Sequence, residues 1–198
     1  RPHMFVMSWV YEMPWGKGRP IPLSGFLDYV AGGWRVNGVY SAYSGTPFTV
    51  SAGGTSLNAP GSNQTADQVS EIQYIGDVGP NTQWLSVNSF RDPNYGRPSN
   101  VFRFGTMGRN SLRGPGFQKA DMAIFKDFAL SERFILQFKA EAFNVSNTPR
   151  FNSPSSNVSS MVLNADGSVR TINNFMAITS AFADRSEEHT SELQSLSH

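Results

Sequence analysis

Cysteine is missing from all 198 residues, which excludes disulfide frameworks, thiolate zinc or iron-sulfur centres and cysteine nucleophiles. Charge is scarce too: Asp, Glu, Lys and Arg make up 16%, against about 25% in an average soluble domain. The formal net charge of +1 supplies no broad basic field for neutralising phosphates and argues against a nucleic-acid partner. No apolar run approaches the roughly 18 residues of a membrane-spanning helix. That leaves open a membrane-spanning barrel, whose strands are short and only half apolar. Of the three histidines, His189 and His198 sit in the last ten residues, so a histidine-based metal site or triad has only His3 to draw on. Asp121 and Asp127 are six residues apart, roughly 20 Å along an extended chain, too far for paired acid-base work. No catalytic, cofactor-binding or metal-ligating residue is assigned, and the chain does not read as an enzyme.

What the sequence does hold is aromatic residues at 13%, with 18 Gly and 12 Pro, a balance that favours strands and turns over helices. Four segments alternate with period two. In residues 4–11, Phe5, Met7, Trp9 and Tyr11 oppose Met4, Val6, Ser8 and Val10. Residues 34–43 set Trp34, Val36, Gly38, Tyr40 and Ala42 against Arg35, Asn37, Val39, Ser41 and Tyr43. The third segment, 119–128, keeps Met122, Ile124 and Phe128 on one parity. The fourth and clearest, 132–144, opposes Phe134, Leu136, Phe138, Ala140 and Ala142 to Arg133, Ile135, Gln137, Lys139 and Glu141. Each runs to about ten residues, longer than typical globular strands and near the length that crosses a bilayer at a tilt. Their spacing predicts antiparallel pairing of segment one with two and of three with four.

Connections alternate in length. Ala129, Leu130 and Ser131 make a tight turn between segments three and four, whereas residues 45–118 separate two from three and are dense in Gly, Pro, Asn and Ser. Short turns at one end and long loops at the other are the plan of an outer-membrane barrel. The first connection, 14–33, is longer than a minimal turn and contains Gly16-Lys17-Gly18. No phosphate-loop frame surrounds that tripeptide, and it reads as a periplasmic turn. Arg109 and Arg113 with Gly108, Gly114 and Gly116 could form an anion-binding corner; the plainer reading is a loop re-entering a strand.

A soluble β-sandwich shows the same alternation, apolar to the core and polar to water. Two features favour the barrel. Arg35, Asn37, Gln137, Lys139 and Glu141 lie mid-strand on the polar faces and suit a wet lumen, with Lys139 and Glu141 pairing with each other or with Arg35. Trp9, Tyr11, Trp34 and Phe134 sit near strand ends on the opposite faces, as interfacial girdles do.

The stretches FVMSWVYEMPWGKG (5–18), GWRVNGVYSAYSGTPFTV (33–50), GRNSLRGPGFQKADMAIFKDF (108–128) and QFKAEAFNVSNTPRF (137–151) resemble the C-terminal barrel region of TonB-dependent outer-membrane receptors. The resemblance is to the group with a carboxypeptidase-regulatory-like N-terminal domain. It implies an all-β fold: a partial antiparallel transmembrane β-barrel, the last strands of a 22-stranded barrel with the final strand missing. It also implies an N-terminal plug and a TonB-contact motif in the missing N-terminal region, neither of which lies in this sequence. Residues 1–184 are read as the barrel part, with a long loop at about 51–117. Residues 185–195, RSEEHTSELQS, resemble a translated sequencing adapter, so 185–198 is read as a non-native tail outside the fold. Without it the sequence keeps 15 basic and 12 acidic residues. Residues 175–184 read as the approach to the missing strand.

The implied function is that of a receptor and active transporter in the bacterial outer membrane, which binds a scarce solute and imports it with TonB-coupled energy. Its partners are outer-membrane lipid, TonB and an unknown small-molecule or glycan ligand. By loop position, Trp84, Phe90, Tyr95, Phe102 and Arg103 are the candidate ligand contacts, since aromatic faces and hydrogen-bonding groups commonly hold large solutes. The alternatives are a secreted β-sandwich that binds or cleaves polysaccharide, and a passive porin.

Overall fold

The computed structural model describes residues 3–53, 64–96, 98, 101–131, 133–182 and 188–197. It divides into two compact units. One consists of Pro2–Tyr43, Phe117–Pro149 and Ala183–His198, the other of Ser44–Gly116 and Arg150–Phe182.

The first unit is a five-stranded antiparallel sheet. Its strands, in spatial order, are Met4–Glu12, Arg35–Tyr43, Phe117–Ala129, Phe134–Ala142 and Glu188–Ser197, here called the first to fifth long strands. The first pairs with the second from Met4↔Tyr43 to Glu12↔Arg35, and the third with the fourth from Ala129↔Ile135 to Met122↔Ala142, as the alternation predicts. The second and third also pair, from Arg35↔Phe125 to Tyr43↔Phe117, although the chain between them is long. Residue 132, the expected start of the fourth strand, lies outside the described residues; the strand runs Phe134–Ala142. Glu188–Ser197, expected outside the fold, pairs with the fourth strand with a register shift between Gln137 and Lys139.

Cross-strand partners share a face, so these registers sort the sheet into two. One face carries Phe5, Met7, Trp9, Tyr11, Val36, Tyr40, Ala42, Met122, Ile124, Phe128, Leu136 and Phe138. The other carries Arg35, Asn37, Lys119, Asp121, Asp127, Gln137, Lys139 and Glu141. The first connection holds a short helix, α1, Gly25–Ala31.

In the second unit the long loop proves to be folded, together with Arg150–Phe182. Its strands are mostly two residues long and pair as Pro47–Phe48 with Leu112–Arg113, Ser51–Ala52 with Gln64–Thr65, Asp67–Gln68 with Phe90–Arg91, and Arg150–Phe151 with Ala181–Phe182. Phe48, Val50, Leu85, Val87, Phe90, Met107, Leu112, Val158, Phe175 and Met176 form its core. Residues 175–184, expected as the approach to a further strand, therefore begin inside this core: Phe175 and Met176 are fully buried, and the Phe175 ring meets Phe90 edge-on at 5.8 Å.

The two family-like motifs shape local backbone. In EAFNVSNTP, Asn144 and Asn147 take positive φ, a region that Asn tolerates better than most residues. Asn144 Oδ1 accepts from Ser146 Oγ and from the Thr148 N–H, closing the turn. In RNSLRGPG, Gly114 approaches Gly45 so closely that a Cβ on Gly45 would sit 1.8 Å from the Gly114 oxygen. Only glycine fits there.

Candidate functional site

The charged face of the sheet is a ladder of paired groups. Arg35 donates to Asp127 at 2.7 Å, and Gln137 Nε2 donates to the other oxygen of the same carboxylate at 2.8 Å. Arg35 therefore pairs with Asp127, and neither Lys139 nor Glu141 is its partner. Lys139 and Glu141 pair with each other at 2.7 Å, as one of the two expected arrangements has it. Lys119 pairs with Asp121 at 3.0 Å, and Asp121 accepts the Asn144 N–H. Asn37 Oδ1 is buried on this face with no hydrogen-bond partner among the described residues. The register thus brings Arg35, Asn37, Gln137, Lys139 and Glu141 together, and adds Asp127, Asp121 and Lys119, which loop-and-parity reading of the third segment missed.

Among the described residues the apolar face has one cation, Lys126. Its ammonium does not stand over apolar neighbours unpaired: it donates to the Gly32 carbonyl and lies 5.5 Å from the Trp34 ring and 4.9 Å from that of Phe128. Long basic side chains on apolar surfaces reach polar groups at an edge in this way. Trp34 also meets Phe138 edge-on at 5.8 Å, so its indole stands on this face.

In the loop unit, the five candidate ligand contacts have different fates. Phe90 is 0% exposed and is a core residue; its place in the loop suggested a surface ring, but the ring is sealed against Phe175. Trp84 is half-buried against the core, with Nε1 donating to the Arg113 carbonyl and its ring edge-on to Tyr74. Tyr95 is exposed, its hydroxyl donating to the Asn164 carbonyl at 3.1 Å and its ring 5.7 Å from the Arg91 guanidinium. Phe102 is 57% exposed. Arg103 grips Asp67 through both terminal guanidinium nitrogens, at 2.8 and 2.5 Å. The guanidinium holds the Asp67 carboxyl below its usual range, against the opposing effect of burial and with help from the Thr106 N–H. Ser168, through its hydroxyl and N–H, holds Asp166 below its usual value as well.

Sequence reasoning passed over Phe104, which is 67% exposed beside Arg103, and over a cavity of about 560 Å³ lined by Thr49, Ser51, Gln64, Thr65 and Arg109. Phe104 had no signal in the sequence beyond residue type; of the cavity's lining, the sequence had singled out Arg109, which was read as part of a loop re-entering a strand. Among the described residues, no group of three or more His, Asp or Glu is placed to hold a metal ion, and no helix is long and apolar enough to cross a membrane.

A two-faced sheet of long antiparallel strands is the geometry of a barrel wall, and comparison with known families decides the matter. The family model of the outer membrane beta barrel domain matches residues 1–187. The chain belongs to this family. It is an outer-membrane β-barrel protein of bacteria, associated with membrane lipid, and its sheet is an open portion of a barrel. The soluble β-sandwich alternative is thereby set aside; among the described residues, no second sheet of long strands exists to form one. No curated protein and no solved structure matches the chain. Beyond the matched residues of this outer membrane β-barrel domain lies the fifth long strand, Glu188–Ser197.

Proposed function

We propose that this outer-membrane barrel is a TonB-dependent receptor and active transporter, which binds a scarce solute at its loop unit and imports it through the lumen when a plug is displaced. The observation that carries this reading is the loop unit itself. Residues between wall strands form a body with its own core, whereas a passive pore needs only loops that leave its mouth open. A built body can present a fixed set of contacts, and Tyr95, Phe102 and Phe104 are exposed on it. The motifs at 108–128 and 137–151 support the same family reading, and the chain transforms nothing chemically.

In this reading the charged face lines the lumen and the aromatic face meets lipid. The buried Asn37 oxygen, without a hydrogen-bond partner among the described residues, suits a hydrated interior, since polar atoms buried from bulk water are satisfied by protein or by ordered water. Phe5, Met7, Tyr11 and Phe134, largely exposed, sit on the sheet at cost in water and without cost in acyl chains.

The test is solute uptake by cells expressing the complete receptor. Uptake should stop when TonB is deleted or when the proton-motive force is collapsed. Uptake that persists under both conditions would make the protein a passive porin.

A further inference from the structure

The helix α1 is built inside out. Its one charged side chain, Asp28, turns inward: Oδ1 accepts the Lys17 N–H at 2.7 Å and lies against Gly16 and Gly32. Its apolar side chains turn outward. Phe26 is 78% and Leu27 65% exposed, Tyr29 and Val30 are exposed too, and no residue of the helix is buried. A helix seated on a protein in water does the reverse, burying its apolar stripe and showing its charges.

The helix is attached to the aromatic face of the sheet at the end marked by the Ala129 turn. The Tyr29 ring lies 5.5 Å from Phe128, Trp34 Nε1 donates to the Val30 carbonyl and Trp15 Nε1 to that of Ala31, and Lys126 donates to Gly32. Phe128, Lys126 and Trp34 all belong to the apolar parity. The outward side chains of α1 therefore prolong that face past the last rung of the strands. Around them stand two indoles and the exposed cation Lys17, the residue types that settle at the junction of acyl chains and headgroups, while Lys126 is buried and ties the helix end to the sheet.

We infer that α1 is an interfacial anchor: it lies in the headgroup layer at the turn end of the barrel, with Phe26, Leu27 and Val30 among the upper acyl chains. The occupant of this surface is a phospholipid monolayer, because the helix is continuous with the face that meets lipid and carries its apolar groups on the side away from the protein. The inference rests on the lipid-facing assignment above. An amphipathic segment of this kind holds chiefly by buried apolar area, with the neighbouring Lys17 able to attract anionic lipid.

The lack of cysteine makes the test direct. Phe26→Cys and Leu136→Cys variants of the full chain, each labelled with a polarity-sensitive fluorophore, are inserted into vesicles of phosphatidylethanolamine and phosphatidylglycerol that contain nitroxide-bearing lipids. The label at position 26 should be quenched several-fold more by a nitroxide near the headgroup than by one at the acyl-chain end, and the label at 136 should show the opposite order. A label at 26 that neither nitroxide quenches, with 136 quenched as expected, overturns the anchor and leaves the lipid-facing sheet standing. Loss of quenching at 136 as well overturns both. Met7→Cys, on the same face, replaces Leu136→Cys if that variant fails to insert.

Discussion

Trp9 covers Gly38. The two are direct cross-strand partners, and a Cβ built on Gly38 would sit 2.0 Å from the Trp9 ring carbon Cζ2. The glycine is where it is because the indole fills the volume a side chain would occupy, an aromatic packed over a strand glycine. Gly38→Val should therefore force Trp9 from its place and destabilise the sheet by about 1 to 3 kcal/mol, the usual cost of overpacking. Urea unfolding in lipid vesicles reads the loss. In a Trp9→Ala background the same substitution should cost far less, since contacting residues couple; an equal cost in both backgrounds would mean that Trp9 and Gly38 do not share that space.

Adjacent positions on the fourth strand should differ sharply. Leu136 faces Phe128 across the ladder and Gln137 faces Asp127, so an arginine enters lipid at one position and the charged face at the other. Leu136→Arg should cost about 2 to 4 kcal/mol near the bilayer midplane, with Gln137→Arg close to neutral. Equal losses in vesicle unfolding would refute the assignment of faces.

The Asp67–Arg103 pair makes the loop unit sensitive to acid. Arg103 lowers the Asp67 pKa in the folded protein, so the unfolded chain takes up the proton first as the pH falls. Stability from the pair is complete above the ordinary aspartate value of about 3.9 and is lost as the pH drops through the lower folded value. Arg103 is 45% exposed, and solvent screening limits the effect to about 1 kcal/mol. Asp67→Asn should lower the thermal midpoint at pH 7 and leave it nearly unchanged near pH 2; an equal drop at both would point to lost packing.

Phe90→Ala and Phe102→Ala should have opposite consequences. Removing the buried Phe90 ring leaves a cavity against Phe175 and should cost about 3 to 5 kcal/mol, opening the loop unit to protease added to intact cells. Phe102→Ala should leave protease resistance as it was and weaken solute binding. If Phe90→Ala cells show cleavage only after lysis, the loop unit is not extracellular.

The wall was legible because strand alternation is a local property. Each long strand carries its own period of two, and the tight Ala129 turn brings the third and fourth together, so faces and hairpin register follow from nearby residues. The loop unit has no such local code. Its strands are two residues long, too short for any period, and its core gathers Val50, Leu85 and Phe90 from one segment and Val158, Phe175 and Met176 from another. Gly, Pro and Asn, which look like slack chain, set tight corners there. This is why Phe90 read as a surface ring. The ion partners were half legible: Lys139 and Glu141 are two residues apart on one strand, whereas Arg35 and Asp127 meet only through pairing of strands far apart in sequence.

At the far end of the second strand, Tyr43 and Phe117 are paired rung partners whose rings stack at 4.8 Å. Residues 44–116 thus leave the wall and rejoin it at a single rung. Evolution or an engineer can lengthen, shorten or exchange that excursion without disturbing the register of any wall strand. The one constraint is partnership: Phe175, Met176 and Val158 belong to the second excursion and bury themselves against the first, so a new specificity has to be grafted as a matched pair of segments.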